Sequence, residues 1–190
     1  MTGESSPDAF TLQAASAEAM IAREREELVR RYEILLVAYQ PALARMAASY
    51  EWAPHKREDL LQEILLALWK ALPKFRGDCS ERTFVFRIAQ NRCLTHIWQR
   101  GRDAPTAEEP PDLADPRSNP EAQAIASREQ KGLQDAIRSL PIGYRQVLTL
   151  TLEDLSQAEI AAVLGITENN AAVRLNRARN ALRKLLGGPR

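Results

Sequence analysis

The chain has 190 residues, 45% of them hydrophobic, which is enough for folded cores in one or two small domains. Its 26 Lys and Arg residues nearly cancel its 25 Asp and Glu residues, so only the distribution of charge can point to a nucleic-acid partner. The cysteines, Cys79 and Cys93, lack CxxC-like spacing, and we expect reduced thiols in a cytoplasmic protein. We expect no signal peptide, because the N-terminus MTGESSPDAFTLQ has no basic segment followed by an apolar run. We expect no membrane insertion, because no apolar run reaches the roughly 18–20 residues that cross a bilayer.

Helical periodicity dominates the first hundred residues, and no segment alternates like a strand. We expect residues 1–23 to be a partly disordered N-terminal extension, without structure up to about residue 13, and Pro41 to interrupt or begin a helix. The strongest stripe lies in the next helix and ends at Pro73. Its members are Leu61, Leu65, Leu68 and Leu72, joined by Leu60, Ile64 and Trp69.

The stretch 59–102 carries two surfaces of different charge. Its first helix begins with acid, and Asp59, Gln62 and Glu63, spaced i, i+3, i+4, share one face that suits a basic partner. An ordinary acidic bias near a helix start is the alternative interpretation. After a short break at residues 75–79 the second helix is basic, aromatic and nearly free of acid.

Residues 103–120 are acidic and rich in proline, which indicates an extended linker. This linker divides the chain into predicted domains at 24–102 and 121–190. A solvated spacer without further role has the same composition.

The segment from Ser156 to Leu186 has the pattern of a helix-turn-helix. Ser156 and Glu159 form a capping box, Gly165 suits a left-handed turn, and Thr167 can cap the next helix. The outward face of that helix is basic and amide-rich, as phosphate and base contacts require, although a solvated amphipathic helix is the alternative. Its outward residues are Asn169, Asn170, Arg174, Asn176, Arg177 and Arg179.

Nothing in the sequence indicates an enzyme. His55 and His96 are isolated in the sequence, and no nucleophile–base pattern surrounds either cysteine. We therefore expect no catalytic residue, no metal site and no cofactor.

Two blocks resemble a known family in order and spacing. Residues 59–92, DLLQEILLALWKALPKFRGDCSERTFVFRIAQNR, are similar to domain 2 of the extracytoplasmic-function (ECF) group of RNA polymerase sigma factors, within the sigma-70 family. Residues 140–186, from LPIGYRQVL to NALRKLL, are similar to domain 4 of that group. The resemblance covers about residues 24–187.

The resemblance implies an all-α fold of two small helical domains and an alternative sigma factor without catalytic activity. Its partners would be core RNA polymerase, through the clamp of the largest subunit and the flap of the second, promoter DNA, and an anti-sigma factor. Asp59, Gln62 and Glu63 occupy the family's clamp-docking positions. A free-standing helix-turn-helix regulator is the rival interpretation; it would explain residues 121–190 but leaves the block at 59–102 without a role.

The same resemblance assigns residues to the two promoter elements. Phe84 stands where the family usually has tryptophan, Phe86 is expected in the core, and Ala172 replaces a frequent basic residue. The −10 element would be bound by Phe75, Asp78, Phe84, Arg87, Ile88, Asn91 and Arg92. The −35 element would be read by Thr167, Asn169, Asn170, Arg174, Arg177 and Arg179.

Overall fold

The computed structural model describes residues 9–102 and 131–187, which are helical apart from short connections. The helices are α1 (Ala9–Tyr50), α2 (Pro54–Ala71), α3 (Glu81–Arg102), α4 (131–139), α5 (Ile142–Leu152), α6 (Gln157–Leu164) and α7 (Glu168–Leu185). No strand occurs in these two ranges, and the all-α prediction is confirmed. The predicted linker at 103–120 lies outside the described residues.

Helix α1 differs from the prediction at two places. It begins at Ala9, so the expectation of no structure up to about residue 13 is wrong from that residue onward. It also passes through Pro41 without a break. Proline removes the amide that would bond to the carbonyl of Val37, and Val37 is 84% exposed, so water can satisfy that carbonyl.

The chain divides into two compact units, residues 1–40 and 41–190. Helix α2 faces the core of the second unit with Leu60, Ile64 and Leu68, each at most 2% exposed, and Leu72 follows at 1%. The predicted stripe is therefore rotated slightly, because Leu61 and Leu65 are only half-buried. Pro73 ends α2 as expected and lies in a single 3-10 turn, Leu72–Lys74.

The break between α2 and α3 is shaped by two residues. Gly77 has φ 82°, a left-handed conformation that a side chain would strain. Ser80 then caps α3, since its Oγ accepts a 3.1 Å hydrogen bond from the amide of Thr83. The chain thereby reverses direction and lays α3 against α2.

The described parts of both predicted domains belong to the unit 41–190. Within it α2 contacts α3, α5 contacts α7, and α6 contacts both α3 and α7. The fully buried residues of its second half include Val147, Leu150 and Ala178. The predicted division of the chain into domains at 24–102 and 121–190 stays a prediction.

Candidate nucleic-acid interface

Helices α6 and α7 are joined by a turn whose three sequence signals all appear in the structure. Ser156 and Glu159 form the reciprocal capping box, with the Glu159 amide donating to Ser156 Oγ and the Ser156 amide to Glu159 Oε2. These bonds from Ser156 lower the pKa of Glu159. Gly165 has φ 65°, and Thr167 Oγ1 accepts from the amide of Asn170 at 3.2 Å. The helix-turn-helix geometry is thus fixed by its own caps.

Helix α7 buries one face and presents polar side chains on the rest. Ala171, Leu175 and Ala178 face the core. The exposed members of the predicted set are Thr167, Asn169, Asn170, Arg177 and Arg179.

The basic side chains of α7 do not share one side of the helix. At about 100° per residue, Arg177 and Arg179 point roughly 200° apart. Arg174 is half-buried, and its Nη1 would lie 3.6 Å from a Cβ at Gly143 on α5. One flank therefore carries Asn170, Arg174 and Arg177, and the other carries Arg179.

The second and third turns of α2 carry an exposed acidic face, after a first turn that has no acidic residue. Asp59, Gln62 and Glu63 are all exposed, whereas Leu60 and Ile64 between them are buried. Leu66, which is 51% exposed, extends the same face one turn further. Leu66 was not predicted as part of this face. It lies seven residues after Asp59 in a segment rich in leucine, where the sequence alone does not show which leucine is exposed.

The break and α3 bring two predicted −10 aromatics together. The rings of Phe75 and Phe84 lie 4.5 Å apart with 36° between their planes. Phe86 is 1% exposed and belongs to the core, as expected. The other predicted residues lie on the outer side of this segment: Asp78, Arg87 and Asn91 are exposed, and Ile88 and Arg92 are half-buried.

Arg87 has a protein partner in this structure. Its Nη2 donates a 2.7 Å hydrogen bond to the carbonyl oxygen of Ala162 on α6. A predicted −10 side chain is thus in direct contact with the helix-turn-helix.

A buried carboxylate at the end of α1 was missed by sequence reasoning. Glu51 is 0% exposed, and its Oε1 accepts from the amides of Trp52 and Ala53. Its Oε2 lies 2.8 Å from His96 Nε2 and 2.9 Å from Arg100 Nη1 on α3. His96 is therefore not isolated in the fold. No local pattern could have shown this, because 45 residues separate it from Glu51.

Burial alone would raise the pKa of Glu51, but the His96 bond, the Ala53 amide and the charge of Arg100 together lower it to about 2. Glu51 is thus ionised at neutral pH and holds the C-terminal half of α3 against α1.

Both cysteines are free thiols, Cys79 half-buried and Cys93 buried. Burial raises the pKa of Cys93 well above the usual thiol value, which makes it a poor nucleophile. Among residues 9–102 and 131–187, no cluster of three potential metal ligands occurs. None of the helices in these ranges is long and apolar enough to cross a membrane.

Two protein-family models match the segments of the chain that form these surfaces. The Sigma-70 region 2 model covers residues 35–103, and the Sigma-70 region 4 model covers residues 130–182. The first match contains α2 and α3, and the second contains α5, α6 and all but the last three residues of α7.

Curated relatives match over most of their length. The RNA polymerase sigma-H factor of Pseudomonas aeruginosa is 29% identical over 167 residues, which is 83% of this chain and 86% of the relative. The ECF RNA polymerase sigma-E factor of Escherichia coli is 27% identical over 175 residues, 87% of this chain and 91% of the relative.

Two solved structures share the fold. CnrH, solved in complex with the cytosolic domain of CnrY, has a TM-score of 0.62 and 29% identity, covering 83% of this chain and 88% of its own. The sigma factor RpoE of Bartonella quintana, solved with the anti-sigma factor NepR, has a TM-score of 0.67 and 24% identity, covering 85% and 99%. The chain therefore belongs to the sigma-70 family, as an alternative sigma factor of the ECF group.

Proposed function

We propose that this sigma factor brings core RNA polymerase to a small set of promoters through three surfaces, one for the polymerase and two for DNA. The observation that carries the proposal is that one chain presents an exposed acidic face on α2 and an exposed, basic helix-turn-helix on α7. A DNA-binding regulator needs only the second. The protein itself would carry out no catalysis and would act where the polymerase is, in the cytoplasm.

The α2 face would dock on the clamp of the largest polymerase subunit. Asp59, Gln62 and Glu63 offer acceptors to a basic surface, and Leu66 supplies an apolar contact of the kind found in the centre of interfaces. Because Leu60 and Ile64 fix α2 in the core, the face is rigid and needs little ordering on binding.

The Phe75–Phe84 pair and its surroundings would hold the opened −10 strand. Selecting a base from a melted duplex requires a flipped base in a pocket and a stacking surface for the strand. Exposed Asp78 lies in the same break as Phe75, and exposed Asn91 offers an amide on α3. The smaller ring of Phe84, where the family has tryptophan, gives less stacking area.

Helix α7 would enter the major groove of the −35 element. Thr167 and the free amides at the helix start suit a phosphate, while Asn169, Asn170 and Arg177 can reach base edges. Because Arg179 points roughly 200° away from Arg177 around the helix, it would contact the DNA backbone on the other side of the groove.

An anti-sigma factor is the proposed negative regulator. CnrH and Bartonella RpoE were solved with CnrY and with the anti-sigma factor NepR, and both structures share this fold. A polymerase subunit that competes for core enzyme needs a restraint when its promoters are not required.

Footprinting of duplex DNA with and without core polymerase tests the proposal against the rival regulator. The proposal predicts protection around −35 and −10 only when both protein and core are present. Protection of a discrete site by the protein alone, unchanged by core, would establish the free-standing regulator instead.

A further inference from the structure

The first unit of the chain carries an exposed apolar face that none of the three proposed surfaces uses. Ile21 is 61% and Val29 39% exposed, and the small Ala22 between them in the sequence is also exposed. At about 100° per residue, these three side chains lie within roughly 100° of one another around α1. The face belongs to residues 18–33, which precede the region 2 match at 35–103. It therefore lies outside the segments that match the two sigma regions.

A groove of about 610 Å³ runs along this face between two rows of side chains. One row runs from Glu18 to Arg30 and the other from Ile21 to Glu33, each with i, i+4 spacing. Rows of this spacing are the ridges that pack into the grooves of a second helix, most often at a crossing angle of about −50°. Ala22 lies near the midline of the groove, and its small side chain permits a close approach. The shape of the groove therefore fits another helix.

The two rims of the groove carry opposite charges at nearly the same height. Arg25 lies about 50° to one side of the midline and Glu26 about 50° to the other, and both are exposed. Adjacent residues of a helix do not face each other, so these two charges are poorly placed to pair within α1. A two-fold contact between two copies of the chain would bring them together, because Arg25 of each copy would face Glu26 of the other.

This charge pattern favours a parallel contact over an antiparallel one. In a parallel contact each rim of one helix meets the opposite rim of the other, which sets Arg25 against Glu26 twice. In an antiparallel contact each rim meets its own copy, which sets Arg25 beside Arg25 and Glu26 beside Glu26. Helices that cross at about −50° also diverge away from the crossing point, so the acids at the two ends, Glu18 and Glu33, stand apart from their counterparts.

A second copy suits this face better than DNA or a basic protein surface does. Among the described residues, the groove is lined by three acids and two bases, so its charges are mixed and nearly cancel. Phosphates favour a surface that is positive throughout, and a basic partner favours one that is negative throughout. A surface with both signs in register is complementary to itself.

We propose that residues 18–33 of α1 form a parallel helix–helix contact with a second copy of the chain. Ala22 and Val29 lie at the crossing point, and reciprocal Arg25–Glu26 ion pairs form at the rims. The contact extends only about 24 Å along each helix, and interfaces below about 1,200 Å² are typical of weak, transient complexes. We therefore expect reversible dimers with a Kd on the order of 100 µM. The inference goes beyond the proposed function, because the contact involves neither polymerase nor DNA.

Sedimentation equilibrium of the full chain between about 10 and about 500 µM measures this contact. The average mass should rise with concentration from 21.3 kDa towards twice that value. Arg25→Glu and Glu26→Arg each replace two attractive pairs by two repulsive ones, and each should raise the Kd at least roughly tenfold. Arg23→Glu makes the same change in charge as Arg25→Glu at an exposed position outside the groove, and it should leave the Kd unchanged.

A mixture of the two single variants is the most specific test of the pairing. The Arg25→Glu chain carries two acids at the rims and the Glu26→Arg chain two bases, so a mixed dimer regains both ion pairs. Mixing should restore the association that each variant alone has lost, while circular dichroism verifies equal helical content. Monomers of the wild-type chain at every concentration would overturn the proposal and leave this face to a different protein. A mixture no more associated than its components would refute the Arg25–Glu26 pairing.

Disulfide trapping in a Cys79→Ser background, which removes the half-buried thiol, tests the orientation. Ala22→Cys chains should cross-link to each other on oxidation, because the same residue of both copies lies at the crossing point, whereas Arg23→Cys chains should not. Cross-linking only in a mixture of Ala22→Cys and Val29→Cys chains would show an antiparallel contact and contradict the parallel one. None of these measurements uses core polymerase or DNA, so their outcome is independent of the proposed function.

Discussion

Glu51 and Arg100 form an ion pair of 2.9 Å that joins the end of α1 to the last turns of α3. The carboxylate is fully buried, whereas the Arg100 side chain is 42% exposed, so the pair reaches from the core to the surface. It fixes the part of α3 that follows the proposed −10 residues. Protonation of Glu51 would remove this ion pair, so the stability of the fold should depend on pH.

Acid should destabilise the protein through Glu51. The pKa of Glu51 in the folded state is about 2, below its ordinary value of 4.5, so the fold favours the carboxylate. Its stabilisation is fully present above pH 4.5 and is lost as the pH falls from 4.5 towards 2, by up to about 3 kcal/mol. Glu51→Gln should lower the free energy of unfolding at pH 7 by roughly 3 kcal/mol, since Arg100 and His96 then face a neutral amide.

Urea melts between pH 3 and pH 7 measure this effect, with exposed Glu58→Gln as the control. The wild-type protein and the control should lose stability together in acid, whereas Glu51→Gln should lose less between pH 4.5 and 3. Parallel curves for all three proteins would exclude Glu51 as the acid-sensitive group.

Charge reversal on α2 should impair polymerase binding without unfolding the protein. If this face docks on a basic surface of the clamp, as proposed, Asp59→Lys/Glu63→Lys sets two cations against it, and we expect the Kd for core polymerase to rise by at least roughly tenfold. Glu24→Lys/Glu27→Lys on α1 makes the same change in charge outside the region 2 match and should leave the Kd unchanged. Fluorescence anisotropy of labelled protein with core gives both values; equal effects of the two pairs would show that only net charge matters.

Gly165→Ala should destabilise the helix-turn-helix through backbone strain alone. Gly165 has φ 65°, yet a Cβ there would meet no atom within 4 Å. The penalty is therefore the left-handed conformation itself, about 1–2 kcal/mol. Gly132→Ala is the matched control, because Gly132 is helical, has equally open surroundings, and should gain up to about 1 kcal/mol. Thermal melts should show opposite signs for the two variants; a stabilised Gly165→Ala protein would contradict this account of the turn.

Arg177→Ala should weaken binding of the polymerase complex to promoter duplex. Loss of one phosphate or base contact is expected to reduce affinity by roughly tenfold and, where a phosphate is lost, to reduce the salt slope by about one. Arg23→Ala on α1 removes one exposed charge elsewhere and should leave both quantities unchanged. Titrations at several salt concentrations provide the test, and identical behaviour of the two variants would remove Arg177 from the interface.

Local signals in the sequence predicted local structure well. The capping box at Ser156, the left-handed Gly165 and the Thr167 cap each depend on residues within four positions, and all three are present. The all-α fold followed from periodicity that is equally local.

Side-chain contacts between distant segments could not be predicted from the sequence. Glu51 and His96 are 45 residues apart, and Arg45 and Glu153 are 108 apart, so no window of sequence contains either pair. Pro41 was interpreted as an interruption or a helix start, although α1 continues through it at a site where Val37, one turn earlier, is exposed to water. The assignments of residues to polymerase, −10 and −35 stay predictions.

Run-off transcription with core polymerase on genomic fragments tests the central claim most directly. The account predicts discrete transcripts that require both this protein and core, that fall with Asp59→Lys/Glu63→Lys, and that persist with Glu24→Lys/Glu27→Lys. No protein-dependent transcript across many fragments, together with no binding to core polymerase, would contradict it.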